Sequence, residues 1–259
     1  MNKNFIFVSC LIIMIFFHAD SIFAAGWGFK KSTNNNIPDI GSYENILKNN
    51  LVFYADKHTK KDIYLTFDNG YEAGYTKDIL KVLKEENTPA TFFVTGHYVE
   101  EEPEIIKQMD KDGHIIGNHS YHHPDFTSLN KSEIKQELDY VQEAVEEITG
   151  NDSMKYVRPP RGTFNEETLK WTEELGYVSV FWSLAFKDWE RNKQKGEMYA
   201  YEQIMDQIHP GAIILLHTVS EDNAKALKKV IQQLKKDGYT FKSLDDLLWK
   251  ELLSTDIRL

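Results

Sequence analysis

Cysteine is almost absent from this 259-residue chain: Cys10 is the only one. No disulfide can form within the chain, so a stable fold must rest on a buried core, which this length allows. Cationic excess is absent too. Thirty Lys and Arg stand against forty Asp and Glu, giving a net charge of −10. Nucleic-acid binding through a basic stripe is excluded, and so is long-range attraction to anionic membranes or wall polymers. An anionic substrate would have to be caught by a local Arg or Lys. Internal repeats and low-complexity tracts are also missing.

A membrane-spanning run is lacking as well. The apolar stretch from Phe5 to Phe17 falls short of the roughly 20 residues a bilayer needs. Lys3 precedes it, and the small residues Ala19, Ser21, Ala24 and Ala25 follow. Residues 1–24 therefore read as a secretory signal peptide cleaved after Ala24, which places the mature protein outside the cell or in its envelope, with no stable membrane insertion after cleavage. Cys10 lies early in the apolar run rather than at its end, which argues against lipidation.

What is present is an alternation. Residues 25–60 are polar and mixed, and read as an arm or linker. From residue 61 to 259 strand-like runs ("DIYLTFD", "TPATFFVTG", "HIIGNHS", "YVRPP", "YVSVFWSLA", "GAIILLH", "TFKSL") alternate with amphipathic helical stretches such as Lys131–Thr149 and Asp222–Lys236. Near-continuous apolar strands followed by helices predict an α/β fold with a parallel sheet covered on both faces. Polar residues cluster at five strand ends, and in a closed parallel barrel those ends share one rim. An open sheet would gather a ligand mainly where strand order reverses. The expectation is a distorted (β/α) barrel of about seven parallel strands, related to the TIM barrel, acting as a monomer.

The strand ends carry the chemistry. The first closes on Asp68, Asn69 and Gly70, residue types that make a turn or a site. The stretch "HSYHH" holds His119, His122 and His123. The four-residue spacing of His119 and His123 would put two imidazoles on one face of a helical turn, as metal ligands are placed. Ser120 and Tyr121 stand where HExxH would require Glu after the first His, so a zincin protease is disfavoured. His122 points elsewhere at this spacing, and His58, His97, His114 and His209 are given no role. His217 ends an apolar strand and, opposite Asp68, would complete an acid/base pair. Leu215 alternates with it as an apolar wall. Trp189 after Asp188 could stack on a sugar ring or simply pack in the core.

Taken in order, "TFDNG", "HSYHH", "RPPRG", "DW" and "LLH" resemble the five motifs of the polysaccharide deacetylases, the NodB-homology or family 4 carbohydrate esterases, over about residues 60–245. Within that family the chain is most similar to the delta-lactam-biosynthetic de-N-acetylases of spore-forming bacteria. The resemblance implies metal-assisted de-N-acetylation of N-acetylmuramic acid in peptidoglycan glycan strands, in the spore cortex region. It implies Asp68 as base, His217 as acid, Arg158 fixing Asp68, and Asp188 orienting His217. It further implies a divalent metal, zinc first, held by His119, His123 and Asn69. The family usually has Asp where this chain has Asn69, and a set of neutral donors holds zinc less tightly. Arg161 replaces the family's usual aromatic and can fork onto the lactyl carboxylate of muramic acid; pairing with a protein carboxylate is the competing reading. An N-acetylglucosamine or chitin-oligomer deacetylase, and a glycan-binding pseudoenzyme with a decayed metal site, are the alternatives.

Overall fold

The computed structural model describes residues 24–32, 34–59 and 61–256. Cys10 and all of the expected signal peptide except Ala24 lie outside the described residues. The strands are β1 Ala25–Gly26, β2 Val52–Phe53, β3 Asp62–Asn69, β4 Thr91–Val94, β5 Ile115–Asn118, β6 Tyr156–Val157, β7 Thr163–Phe164, β8 Val178–Val180, β9 Ile213–His217 and β10 Thr240–Phe241. The helices are α1 Tyr43–Leu47, α2 Thr76–Glu85, α3 Gly96–Glu101, α4 Pro103–Lys111, α5 Lys131–Thr149, α6 Glu166–Glu174, α7 Glu197–Met205, α8 Glu221–Lys236 and α9 Leu244–Asp256.

Among the described residues, one parallel sheet of eight strands runs in the order β10, β3, β4, β5, β6, β8, β2, with β9 also paired to β3. Beyond β8, Leu184 bridges to Ile214 of β9, and the Leu215 N–H donates to the Leu184 carbonyl at 2.9 Å. The sheet thus curls round on itself as the expected distorted barrel. All seven expected strands are present, and β2 is an addition. Its two residues lie in the segment read as an arm, too few to show a period.

β3 shows why the strands read as unbroken apolar runs. Ile63, Leu65 and Phe67 pack into the large cluster beneath the helices, while Tyr64 joins Phe93, Tyr156 and Val180 inside the barrel. With period two, Thr66 and Asp68 share the inner face and Asn69 turns with Phe67 to the helix side. α5 keeps the boundaries that its sequence signals set. Asn130 accepts from the N–H groups of Ser132 and Glu133, Glu133 reaches back to the Asn130 N–H, and Gly150 ends the helix at φ +73°. Its buried stripe is Ile134, Leu138, Val141 and Val145. No described helix is long and apolar enough to cross a membrane.

The segment before residue 60 packs on the barrel. β1 pairs antiparallel with β7. Trp27 stacks on Phe181 with ring centroids 4.7 Å apart, in a cluster with Phe164 and Tyr54.

Candidate active site

A cleft of about 860 Å³ opens at the C-terminal ends of the strands. Parallel pairing brings the strand ends there: Asp68 of β3 lies in register with His217 of β9, and Asn118 of β5 with Val157 of β6.

Asp68 is 7% exposed and holds the cleft floor. Arg158, fully buried just past β6, sets Nη1 at 2.6 Å from the Asp68 Oδ1. Its other nitrogens are spent as well: Nη2 donates to Thr66 Oγ1 at 2.9 Å and Nε to the Val180 carbonyl at 3.1 Å. Phe93 lies against the guanidinium at 4.1 Å and Trp182 at 5.5 Å. A charge this deep is tolerable because each of its three nitrogens has an acceptor and one of them is a carboxylate. Burial raises the Asp68 pKa, but Arg158, with His119 and His217 behind it, outweighs that and holds the carboxyl below its ordinary range.

His119 and His123 do come together, with ring centroids 4.7 Å apart, but not on a helix. Residues 119–123 form a loop in which Ser120 and His123 adopt φ of +63° and +58°. The loop is pinned at both turns. The Ser120 N–H donates to Asn118 Oδ1 at 2.9 Å, and the His123 N–H to Ser120 Oγ at 3.0 Å. The helical spacing foresees that the two rings meet but not why: two left-handed residues, not a helical turn, bring them together. His119 Nδ1 lies 2.8 Å from the Arg158 carbonyl and so carries the proton, leaving the Nε2 lone pair free, 3.6 Å from Asp68 Oδ2. Burial, then the neighbouring His119, pushes the His123 pKa down to about 4, so that imidazole is neutral too. His122 turns away to pair with Glu137 at 2.7 Å.

Asn69 is fully buried, and neither amide atom has a hydrogen-bond partner. It does not line the cleft. It lies on the helix side near the Tyr98 hydroxyl without meeting hydrogen-bond geometry. Among the described residues no three His, Cys, Asp or Glu side chains gather as a metal site; His119 and His123 stand side by side as two imidazole donors. The third expected donor offers an unspent amide oxygen, one residue from Asp68 in sequence but on the other face of the strand.

On the opposite wall His217 Nδ1 lies 2.7 Å from Asp188 Oδ1. Asp188 Oδ2 accepts from the His217 N–H at 2.9 Å and from Asn223 Nδ2 at 2.5 Å. Burial lowers the His217 pKa, but the Asp188 carboxylate outweighs it, and the net shift is upward. With Nδ1–H committed to Asp188, Nε2 is left for the cleft. Leu215 forms the apolar wall beside it, and Trp189, 48% exposed, has its ring 5.4 Å from the His217 ring.

Arg161 lines the same cleft in the left-handed conformation, at φ +58°. Among the described residues no carboxylate lies within ion-pair distance of its guanidinium; Asp125 feels its charge only from further off. Gly162 follows at φ +66°, where a Cβ would sit 2.9 Å from Trp182 and 3.1 Å from Trp27. The Trp27 N–H donates to the Gly162 carbonyl at 2.7 Å, so the N-terminal segment braces this turn.

Sequence reasoning missed Thr66, Phe93 and Asn223. Their contacts to Arg158 and Asp188 come from strand register and from the first turn of α8, and none carries a local signal.

The sequence profile of the polysaccharide deacetylase family matches residues 55–180. The chain is 55% identical over 226 residues to the peptidoglycan-N-acetylmuramic acid deacetylase PdaA of Bacillus subtilis, covering 87% of this chain and 86% of that one. It is 52% identical over 255 residues to an uncharacterized 30.6 kDa protein of Geobacillus stearothermophilus, covering 96% of each. The solved structure of B. subtilis PdaA, a family 4 carbohydrate esterase, superposes with a TM-score of 0.86 at 54% identity, covering 88% of this chain and 98% of that one.

Proposed function

Because this chain belongs to the polysaccharide deacetylase family, we propose that the N-acetyl groups it hydrolyses are those of N-acetylmuramic acid in peptidoglycan glycan strands. The observation that carries this reading is Arg161: a guanidinium without a carboxylate partner, fixed on the wall of the cleft that holds Asp68 and His217. N-Acetylmuramic acid bears a lactyl carboxylate that such a fork can grip by two parallel hydrogen bonds; N-acetylglucosamine bears none. A stem peptide on the lactyl group would turn the carboxylate into an amide, so the fork favours muramic residues whose peptide has been removed.

In the proposed reaction Asp68, kept ionised by Arg158, accepts a proton from the water that attacks the acetamide carbonyl. His217 gives its Nε2 proton to the departing C2 amine, while Asp188 holds Nδ1–H and steadies the imidazolium. Leu215 and Trp189 exclude water around the acetyl group and the sugar face. A divalent metal, zinc foremost, would be held by His119 and His123, with the neutral Asn69 as third donor once its buried amide turns from the helix side toward the cleft, and when bound would supply Lewis acidity toward the carbonyl oxygen. The freed amine then lies on the same ring as the lactyl carboxyl, the arrangement from which a six-membered lactam closes. On this reading the enzyme works in the cell envelope, at the spore cortex, upstream of delta-lactam formation and germination.

Acetate release from peptide-free muramic glycan, with and without chelator, tests the activity; Arg161→Tyr tests the substrate. The substitution is expected to cost about 1.5–3 kcal/mol in kcat/KM on muramic glycan and little on N-acetylglucosamine oligomers. A proportional fall on both would show that Arg161 serves the fold or the chemistry, and would remove the muramic assignment.

A further inference from the structure

The loop that delivers Asp188 to His217 continues into a feature that the proposed chemistry does not use. Gln194 fastens it: Nε2 donates to the Asp188 and Glu190 carbonyls at 3.2 and 3.1 Å, and Oε1 accepts from Ser220 Oγ at 2.9 Å and the Asp222 N–H at 3.2 Å. Asp222 Oδ2 in turn accepts from the Lys195 and Gly196 N–H groups at 2.7 and 2.8 Å. Residues 188–196 are thus tied to the turn after β9, and Arg191 rides on that frame.

Arg191 is the unanswered cation of the loop. Lys187 and Lys193 both pair with Glu190, at 2.9 and 2.8 Å. Among the described residues the Arg191 guanidinium makes no ion pair and no side-chain hydrogen bond, and its neighbour is the Tyr71 ring, 6.0 Å from the guanidinium carbon. Arg191 lines a hollow of about 250 Å³ together with Tyr75, Asn192, Gln194, Val219 and Glu221. Glu221 is already engaged by Lys225 at 2.6 Å. Val219 lines both this hollow and the main cleft, so the two lie side by side, and Tyr71 and Trp189 stand exposed on the cleft rim at 42% and 48%.

We propose that this hollow is a second glycan subsite, which takes the chain beyond the sugar being deacetylated, and that Arg191 pairs there with a carboxylate on that chain. The inference rests on the proposed substrate and extends it from one sugar to a strand. A chain of net charge −10 repels an anionic polymer, and each further carboxylate adds to the repulsion unless a fixed cation meets it. A guanidinium with no internal partner gives up no existing pair when it does so. Two such forks in adjoining hollows, Arg161 and Arg191, would bind a strand in a set register, the second contact forming at high effective concentration. The carboxylate is a lactyl group of a neighbouring muramic residue or belongs to a stem peptide on it.

The test is binding without turnover, followed by intrinsic tryptophan fluorescence, for wild type and Arg191→Gln on a peptide-free muramic-containing disaccharide, a peptide-free long strand, that strand with its carboxyls reduced, and a long strand that retains its stem peptides. Substitution is expected to lower the long-to-short affinity ratio about tenfold, equivalent to about 1.4 kcal/mol, and to leave that ratio unchanged on the reduced strand. A loss seen only on strands that retain stem peptides assigns the carboxylate to the peptide. An unchanged ratio on every strand, or an equal loss on the reduced one, overturns the proposal. Acetate release by wild type on the same strands is scored separately, so failure of the deacetylation reading is not confused with failure of this one.

Discussion

Arg158 and Asp68, 90 positions apart in sequence, form an ion pair at 2.6 Å in which the arginine is completely buried. Among the described residues the only carboxylate at ion-pair distance from this arginine is the proposed base, so catalysis and stability share one contact.

Arg158→Met is therefore expected to do more than slow the reaction. It strands a buried carboxylate beside the cleft, and breaking a buried pair from one side costs about 3–5 kcal/mol. Chemical denaturation should show that loss together with loss of acetate release. The double variant Arg158→Met/Asp68→Leu should recover stability but not activity. If the double variant is less stable than the single one, the pair stabilises the fold beyond its own desolvation.

Asp188→Asn should move the alkaline side of the pH profile. Asp188 raises the His217 pKa against burial; without its charge burial prevails, and the imidazole loses its proton at lower pH. The alkaline limb of kcat/KM should shift acidward by about one unit or more, and the rate should fall by about 10²–10⁴-fold if the acid is lost outright. The stability sign follows. A pKa raised on folding contributes fully below the unfolded value, about 6.5, and the contribution disappears as pH rises through the folded value. The melting-temperature gap between wild type and variant should be widest at acid pH and narrow toward alkaline pH. A gap that widens with pH contradicts the pairing.

Asn69→Asp places a carboxylate where the amide is buried and unpartnered, near Tyr98, whose hydroxyl already donates to Glu72 at 2.8 Å. The metal-free variant should be less stable than wild type. Zinc should restore it and bind at least about tenfold more tightly, about 1.4 kcal/mol, in competition with a chromophoric chelator. Equal or weaker zinc affinity would mean that residue 69 does not face the ion.

Trp27→Ala reaches Arg161 through the backbone. The indole packs on Phe181 and donates to the Trp182 carbonyl at 2.9 Å, while the Trp27 N–H holds the Gly162 carbonyl. Truncating a buried Trp costs about 3–5 kcal/mol. Because the brace lies behind the guanidinium rather than beside Asp68, KM for muramic glycan should rise more than kcat falls. Trp27→Phe should recover most of KM. A pure kcat defect would place the effect at the catalytic pair instead.

Much of this architecture is legible in the sequence because burial on both faces makes a parallel strand one apolar word. β3 and β9 read cleanly for that reason, and α5 carries its cap and its terminating glycine in plain view. β2 does not, since two residues have no period. The His119–His123 pair is visible, but its left-handed turns fall at Ser120 and His123, where no glycine announces them. Asn69 is harder to read: adjacency to Asp68 suggests a shared site, while strand alternation turns its amide to the helix side, so a ligand role requires that amide to turn toward the cleft. The sandwich around Arg158 is invisible because Phe93, Val180 and Trp182 meet only when distant strands come into register.

The pairing of β1 with β7 has a practical side. Ala25 lies opposite Phe164, three positions past the guanidinium that is proposed to choose the sugar. An affinity tag or fusion partner joined just ahead of Ala25 would be delivered beside the strand that follows the Arg161–Gly162 turn, rather than hanging as an inert tail. Preparations with ragged amino termini would then behave as mixtures of enzymes with different apparent substrate affinities, whereas α9 packs through Lys250 on Asp62, at the end of β3 opposite Asp68, and a tag carried beyond that helix is the better choice for kinetics.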